Sequence, residues 1–218
     1  MSYELLPDYL TTYLEDLVPH RQPEMQEMEI YASKIGFNII GSASGQLCYQ
    51  IARIAGARRI FEMGSGFGYS TAWFAKAVQE NGGGEVYHVV WHPDLSQQAR
   101  QHLETLGFGN NGSGVKMHYV VSEAIQALKE TEGPIDLIFN DIDKHGYPES
   151  LLVIREKLRK GGVLIVDNLL WHGRIFDPSD QTPDTIGVRE FTRLITTDPG
   201  WITTIVPIRD GVLLAYKV

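Results

Sequence analysis

A single cysteine, Cys48, among 218 residues excludes an internal disulfide and any zinc site built on clustered cysteines. Positive charge is also scarce: 19 Lys and Arg stand against 27 Asp and Glu, a net charge of −8. That balance argues against a broad electropositive surface, so no nucleic-acid partner is expected. No apolar run is long enough to span a bilayer, and the opening MSYELLPDYL lacks a basic n-region and an apolar h-region. The expectation is a cytoplasmic protein with no membrane partner. There is no G-x-x-x-x-G-K-[ST] loop for a nucleotide hydrolase, no H-E-x-x-H metal pair and no G-x-S-x-G elbow. No repeat or Pro/Gly/Ser-rich linker divides the chain. With 43% hydrophobic and 21% charged residues, a single folded domain over 1–218 is expected.

What is present falls into two texts. Residues 1–56 read as N-terminal helices. Leu5, Leu6, Leu10, Leu14 and Leu17 recur at helical spacing over Tyr3 to Leu17, and Pro19 stops that run. A second pattern runs from Pro23 to Ile35, with Gly36 as a C-cap and Glu24, Glu27 and Glu29 as a solvated face. A third helix is predicted over Ser44 to Ala55, turning Leu47, Cys48, Ile51 and Ile54 inward; Cys48 there reads as core rather than as a nucleophile. Residues 57–218 then alternate strands with helices: ARRIFEMG, EVYHVVW, VKMHYVV, IDLIFND and GVLIVDN read as strands separated by helical stretches. This alternation predicts a Rossmann-like, doubly wound α/β fold with a mostly parallel sheet. WITTIVPI and VLLAYKV, joined through Asp210-Gly211, add a C-terminal antiparallel hairpin and bring the sheet to seven strands.

In such sheets ligands bind beyond the carboxyl ends of the strands. After the first strand comes Glu62-Met63-Gly64-Ser65-Gly66-Phe67-Gly68-Tyr69-Ser70, a glycine turn that lets a ligand lie against a helix N-terminus. Its third glycine comes one residue too early for a dinucleotide fingerprint, which argues against a nicotinamide oxidoreductase. Asn140-Asp141-Ile142-Asp143-Lys144 follows the fourth strand and Asp167-Asn168 the fifth. Two carboxylates and an amide oxygen at one mouth suit a hard divalent cation such as Mg²⁺. Of the seven histidines, His88, His102 and His118 read as structural or surface groups, and His145 and His172 as possible pocket residues.

Taken together, these segments resemble the cation-dependent class I S-adenosylmethionine O-methyltransferases of the catechol and caffeoyl-CoA type, over nearly the whole chain. EMGSGFGYST resembles the cofactor loop, NDIDKHGY the D-x-D-K-x-x-Y segment, VDNLLWHGRIFDP the second metal motif, and PIRDGVLLA the closing hairpin. The resemblance implies S-adenosylmethionine along Glu62, Gly64, Ser65, Ser70, Ala124, Asp141 and Asp143. It also implies a divalent cation on Asp141, Asp167 and Asn168, Lys144 as catalytic base, a small vicinal dihydroxy aromatic as acceptor, and a homodimer. A dication beside Lys144 would lower its pKa toward that of a useful base. The sequence departs from the family at Val90, where an acid usually binds the cofactor ribose; His92 or Asp94 could substitute. Thr192 and Ile40 also replace polar residues usual in the family. Val90 keeps open an alternative: a binding module with the methyltransferase fold but impaired cofactor binding and no turnover.

Overall fold

The computed structural model describes residues 7–109 and 112–218; Leu5 and Leu6 of the first expected helix lie outside the described residues. Three helices, α1 (Asp8–Asp16), α2 (Pro23–Ile35) and α3 (Gly41–Ile54), precede the sheet. Pro23 stands in the first turn of α2, where its missing N–H costs nothing. Gly36 ends the helix at φ +66°, its N–H bonded back to Ala32 and Ser33. The third helix starts at Gly41, three residues before the predicted Ser44. Its Cys48 is buried as expected, but Ile54 is 82% exposed, because the last turn of α3 runs past the edge of the core. The glutamates of α2 also depart from a solvated face. Glu29 accepts from Arg21 Nε (2.7 Å) and the Tyr69 hydroxyl (2.6 Å), and Glu24 meets His102 Nδ1 at 2.6 Å; Glu27 stays exposed.

Five parallel strands follow: β1 (Arg59–Met63), β2 (Gly84–Val90), β3 (Val115–Val121), β4 (Ile135–Asn140) and β5 (Leu158–Val166). The connecting helices are α4 (Tyr69–Glu80), α5 (Pro93–Thr105), α6 (Ala124–Glu130) and α7 (Tyr147–Lys157). After α8 (Pro183–Thr197), β6 (Trp201–Val206) and β7 (Val212–Lys217) close the chain as the predicted antiparallel hairpin, β7 pairing with β5. The seven-stranded order is β3-β2-β1-β4-β5-β7-β6.

Alternation along the strands sorts the core into two layers. Ile60, Val86, Leu137 and Ile165 pack with residues of α2, α3, α4 and α5. Phe61, Val89, Ile138 and Leu164 pack with α6, α7 and α8 on the opposite face. Burial of each such side chain contributes about 1.5–3 kcal/mol. The period-2 pattern therefore sets which face each strand residue serves. Among the described residues no helix is long and apolar enough to cross a membrane.

Candidate active site

Strand order reverses between β1 and β4: from β1 the chain moves outward to β2 and β3, then returns to β4 on the other side. The loops leaving β1, β4 and β5 therefore open a crevice at one edge of the sheet. A cavity of about 1030 Å³ lies there, just above the usual range for small-molecule sites (~300–1,000 Å³). Gly64, Ser65, Ser70, Asp141, Asp143, Lys144, Asp167 and Asn168 all line it. Gly64, at φ +85°, is indispensable to this closeness. A Cβ there would stand 2.4 Å from the Asp141 carbonyl oxygen, so any side chain would push the β1 loop away from β4.

The electrostatic centre is the pair Asp141 and Asp167. Asp167 is 2% exposed, and its Oδ1 is buried without a hydrogen-bond partner among the described residues. Burial pushes its carboxyl up to about 7, and the negative charge of Asp141 adds to that rise. A buried, unpaired carboxylate oxygen is costly unless something positive meets it. Asn168, at φ +60°, donates its amide nitrogen to Asp210 (3.1 Å), which leaves the amide oxygen as its available donor atom. Among the described residues no group of three or more His, Cys, Asp or Glu side chains is placed to hold a metal ion. The residues present instead fit a site of two carboxylates and one amide oxygen, with Asp167 Oδ1 as its unmet atom.

Lys144 begins a short 3-10 turn, Lys144–Gly146, and is 8% exposed. Its Nζ donates to Asp141 Oδ1 (2.7 Å) and to the Ile142 carbonyl (3.2 Å). Burial disfavours its charge, but Tyr147 and Asp141 outweigh burial and raise its pKa. The fall expected from the sequence is thus reversed while Asp141 faces the ammonium alone. Lys144 becomes a better base only when the charge on Asp141 is neutralised by something else.

Two of the cofactor residues implied by the resemblance stand elsewhere. Ala124 and Glu62 do not line the cavity. Glu62 is fully buried beneath the glycine turn, where the Thr71 hydroxyl donates to its Oε2 and also meets His88 Nδ1 at 3.1 Å. Glu62 and His88 are register partners on β1 and β2, so they share one face of the sheet. Burial pushes the Glu62 carboxyl up to about 7, with the Ser70, Thr71 and Ser65 hydroxyls opposing the rise. His88 is pushed down to about 3 by burial. Ser65 ties this layer together: its Oγ donates to the Glu62 carbonyl (3.3 Å) and accepts from the Val89 N–H (2.9 Å).

At the β2 end, Val90, Trp91 and His92 line the cavity, whereas Asp94 does not. Ile40 lines it from the loop before α3. Thr192 does not reach it; its hydroxyl bonds back to the Val188 carbonyl (2.8 Å). His172 lines the cavity, but His145 is bonded to Asp184 at 3.1 Å and stays outside it. Sequence reasoning passed over Asn38, Arg209 and Asp210, which also line the cavity. The Asp210-Gly211 dipeptide was legible only as a turn. In the fold Asp210 is 5% exposed and accepts from both Asn168 Nδ2 and the His172 N–H (2.6 Å). Arg209 holds φ +54°, a left-handed conformation that costs a residue with a Cβ on the order of 1–2 kcal/mol.

A family model described as O-methyltransferase matches residues 19–218. The chain belongs to the O-methyltransferase family. Among its relatives is a protein of Mycobacterium tuberculosis named as a probable O-methyltransferase, 29% identical over 187 residues, which cover 85% of this chain and 81% of that one. A solved methyltransferase structure from Geobacter sulfurreducens superposes with a TM-score of 0.80 at 26% identity, covering 98% of this chain and 100% of the other. The O-methyltransferase TomG from Streptomyces achromogenes, solved in complex with SAM, shares the fold with a TM-score of 0.82 at 24% identity, covering 96% of each chain. In this O-methyltransferase the cavity residues Gly64, Ser65, Asp141, Lys144 and Asp167 stand in the turns that follow strands, and Ser70 stands in the first turn of α4.

Proposed function

We propose that this O-methyltransferase uses S-adenosylmethionine and a divalent cation to methylate a hydroxyl of a small vicinal dihydroxy aromatic. The observation that carries the reading is the orphaned Asp167 Oδ1 beside Asp141, with Lys144 bonded to Asp141, in one cavity with the glycine turn. Asp141, Asp167 and Asn168 would hold the cation, and Mg²⁺ suits their oxygen set. When bound, the cation supplies Lewis acidity to two adjacent acceptor oxygens. S-adenosylmethionine supplies a methyl group on a sulfonium, for which the acid-lined cavity is favourable. Ser70 and the N–H groups opening α4 would receive its carboxylate end, and Asp141 and Asp143, which line the same cavity, would attract its ammonium. With the charge of Asp141 taken up by the cation, the Lys144 ammonium would first release a proton to solvent, and its neutral amine would then take the acceptor hydroxyl proton at Nζ. No side chain needs to form a covalent bond, in keeping with a buried Cys48 whose thiol pKa is pushed well up by burial.

Val90 favours one other reading, a fold-retaining binding module, since no acid meets the ribose there. Calorimetric titration of S-adenosylmethionine with and without Mg²⁺ separates the two. Binding, together with methyl transfer to a catechol that Lys144→Ala slows by at least tenfold in kcat with little change in KM, is the expected result. Absence of binding under both conditions sinks the enzyme reading. We also propose a homodimer, supported by the exposed Tyr13 of α1, Leu17 just after it, and Ile30 and Ile35 of α2; a monomer in sedimentation at micromolar concentration would refute it.

A further inference from the structure

Arg209 differs from Arg189, Arg21 and Arg174 elsewhere in the protein. Arg189 is spent on four backbone carbonyls, and Arg21 and Arg174 are held by carboxylates. Arg209 makes no hydrogen bond among the described residues, and its ion pair with Asp167 Oδ2 spans 3.9 Å. Its five N–H donors therefore stay unmatched while the side chain, 35% exposed, lines the cavity. The backbone there is left-handed at φ +54°, a conformation that favours glycine, yet the position carries the longest cationic side chain. The remaining cavity lysine, Lys144, is committed to Asp141. Asp141, Asp143, Asp167 and Asp184 also line the cavity. The divalent cation would receive the acceptor's hydroxyl oxygens, so a further anionic group on the acceptor, lying away from it, calls for a separate cation, and Arg209 is the cavity side chain left free to meet one.

From these observations we propose that Arg209 is the specificity-determining residue of the acceptor side, reading a carboxylate carried by the dihydroxy aromatic. The fork of guanidinium donors matches a planar carboxylate in bidentate fashion. Sheet order puts this arginine on the β5 side of the cavity, which the methyltransferase reading assigns to the acceptor. It arises from the hairpin joining β6 to β7, beyond β5, whereas the glycine turn and Ser70 follow β1 on the other side of β4. The proposal rests on the methyltransferase reading above, and it adds the charge class of the acceptor to it.

The test is calorimetric titration of 3,4-dihydroxybenzoate and of catechol into the protein, with S-adenosylhomocysteine and Mg²⁺ present. Wild-type protein is expected to bind the benzoate at least tenfold more tightly than catechol. Arg209→Gly suits the left-handed backbone and so keeps the hairpin, and it should bring the ratio of the two affinities to within twofold. Arg209→Lys should retain part of the preference. Wild-type protein that prefers neither ligand, or binds neither, overturns the proposal, as does Arg209→Gly with the preference intact. A loss confined to S-adenosylhomocysteine affinity also overturns it, assigning the arginine to the cofactor carboxylate instead. Methyl transfer to catechol by the wild-type protein is measured in parallel. Its absence, with the carboxylate preference intact, counts against the functional reading alone.

Discussion

At the scale of single residues, the site is a balance among buried charges, and the second layer sets that balance. Asp210 touches no expected ligand atom, yet it fixes the Asn168 amide by accepting its nitrogen and braces the next turn through the His172 N–H. Such supporting contacts typically carry 10- to 100-fold in metal affinity. Asp210→Ala should therefore weaken Mn²⁺ binding, followed by electron paramagnetic resonance, by about tenfold. Unchanged Mn²⁺ affinity would show that Asn168 needs no such support. Glu62 yields a prediction with a definite sign. Its folded pKa of about 7 lies above the ordinary 4.5, so the proton is held more tightly in the folded state. Below pH 4.5 both states are protonated and nothing is lost; as pH rises through 7 the folded state loses up to roughly 3 kcal/mol. His88 runs the other way. Lowered from 6.5 to about 3, it contributes stability that is present above pH 6.5 and is lost as pH falls toward 3. Glu62→Gln should thus match the wild type at pH 4 and exceed it at pH 8 by up to roughly 3 kcal/mol in urea denaturation. Equal stability at both pH values would mean that Glu62 ionises freely where it stands.

At the scale of elements, what holds Lys144 in place is a helix laid flat against its turn. A Cβ on Gly187 of α8 would stand 2.3 Å from the Lys144 carbonyl oxygen and 2.8 Å from the His145 Cα. Gly187→Ala should destabilise the fold by about 1–3 kcal/mol and lower kcat by displacing the 3-10 turn. An alanine variant with wild-type stability and turnover would show that the contact is loose. This packing was hidden in the sequence, although the elements themselves were not. The bounds of α2 and the run of strands were legible because proline, glycine and period-2 alternation act locally. Asp141 and Asp167 were legible at the cavity because the residue after a buried strand must emerge at the sheet mouth, whereas Lys144, in the 3-10 turn beyond, was singled out through the D-x-D-K-x-x-Y resemblance. Ile54 failed because helical spacing gives a face but not where the neighbouring layer ends. Glu24 and Glu29 failed because their partners, His102 and Tyr69, lie 78 and 40 residues away. Glu62 was correctly placed at a strand end, but it sits before the turn, on the face that α4 covers with Thr71. Arg209 and Asp210 reach the site only through the pairing of β7 with β5, which no local pattern encodes.

At the scale of the whole molecule, the N-terminal helices act as part of the cavity wall rather than as an appendage. Thr11 of α1 and Phe37, Asn38, Ile39 and Ile40 of the α2–α3 connection all line the cavity. That connection is anchored to the core on both sides. Phe37 packs edge-on against Phe67 of the glycine turn, with ring centroids 5.1 Å apart, and Tyr69 at the start of α4 holds Glu29 of α2. A ligand filling the cavity therefore touches segments from both ends of the chain and should stabilise them as one unit. With S-adenosylhomocysteine at one hundred times its dissociation constant, linkage predicts a gain of about 2.7 kcal/mol in global stability. The gain should be distributed unevenly. Amide hydrogen exchange should slow most at residues 37–41 and 64–70, where wall and glycine turn meet, and little in β6, which lies at the sheet edge. Glu29→Gln, which keeps the side chain's size but removes its charge from Arg21 and Tyr69, should shrink the protection at 37–41 while leaving that at 64–70. Protection confined to 64–70 in the wild-type protein would mean that the N-terminal wall is a bystander. Protection of both segments that Glu29→Gln leaves untouched would place the coupling in the Phe37–Phe67 contact instead.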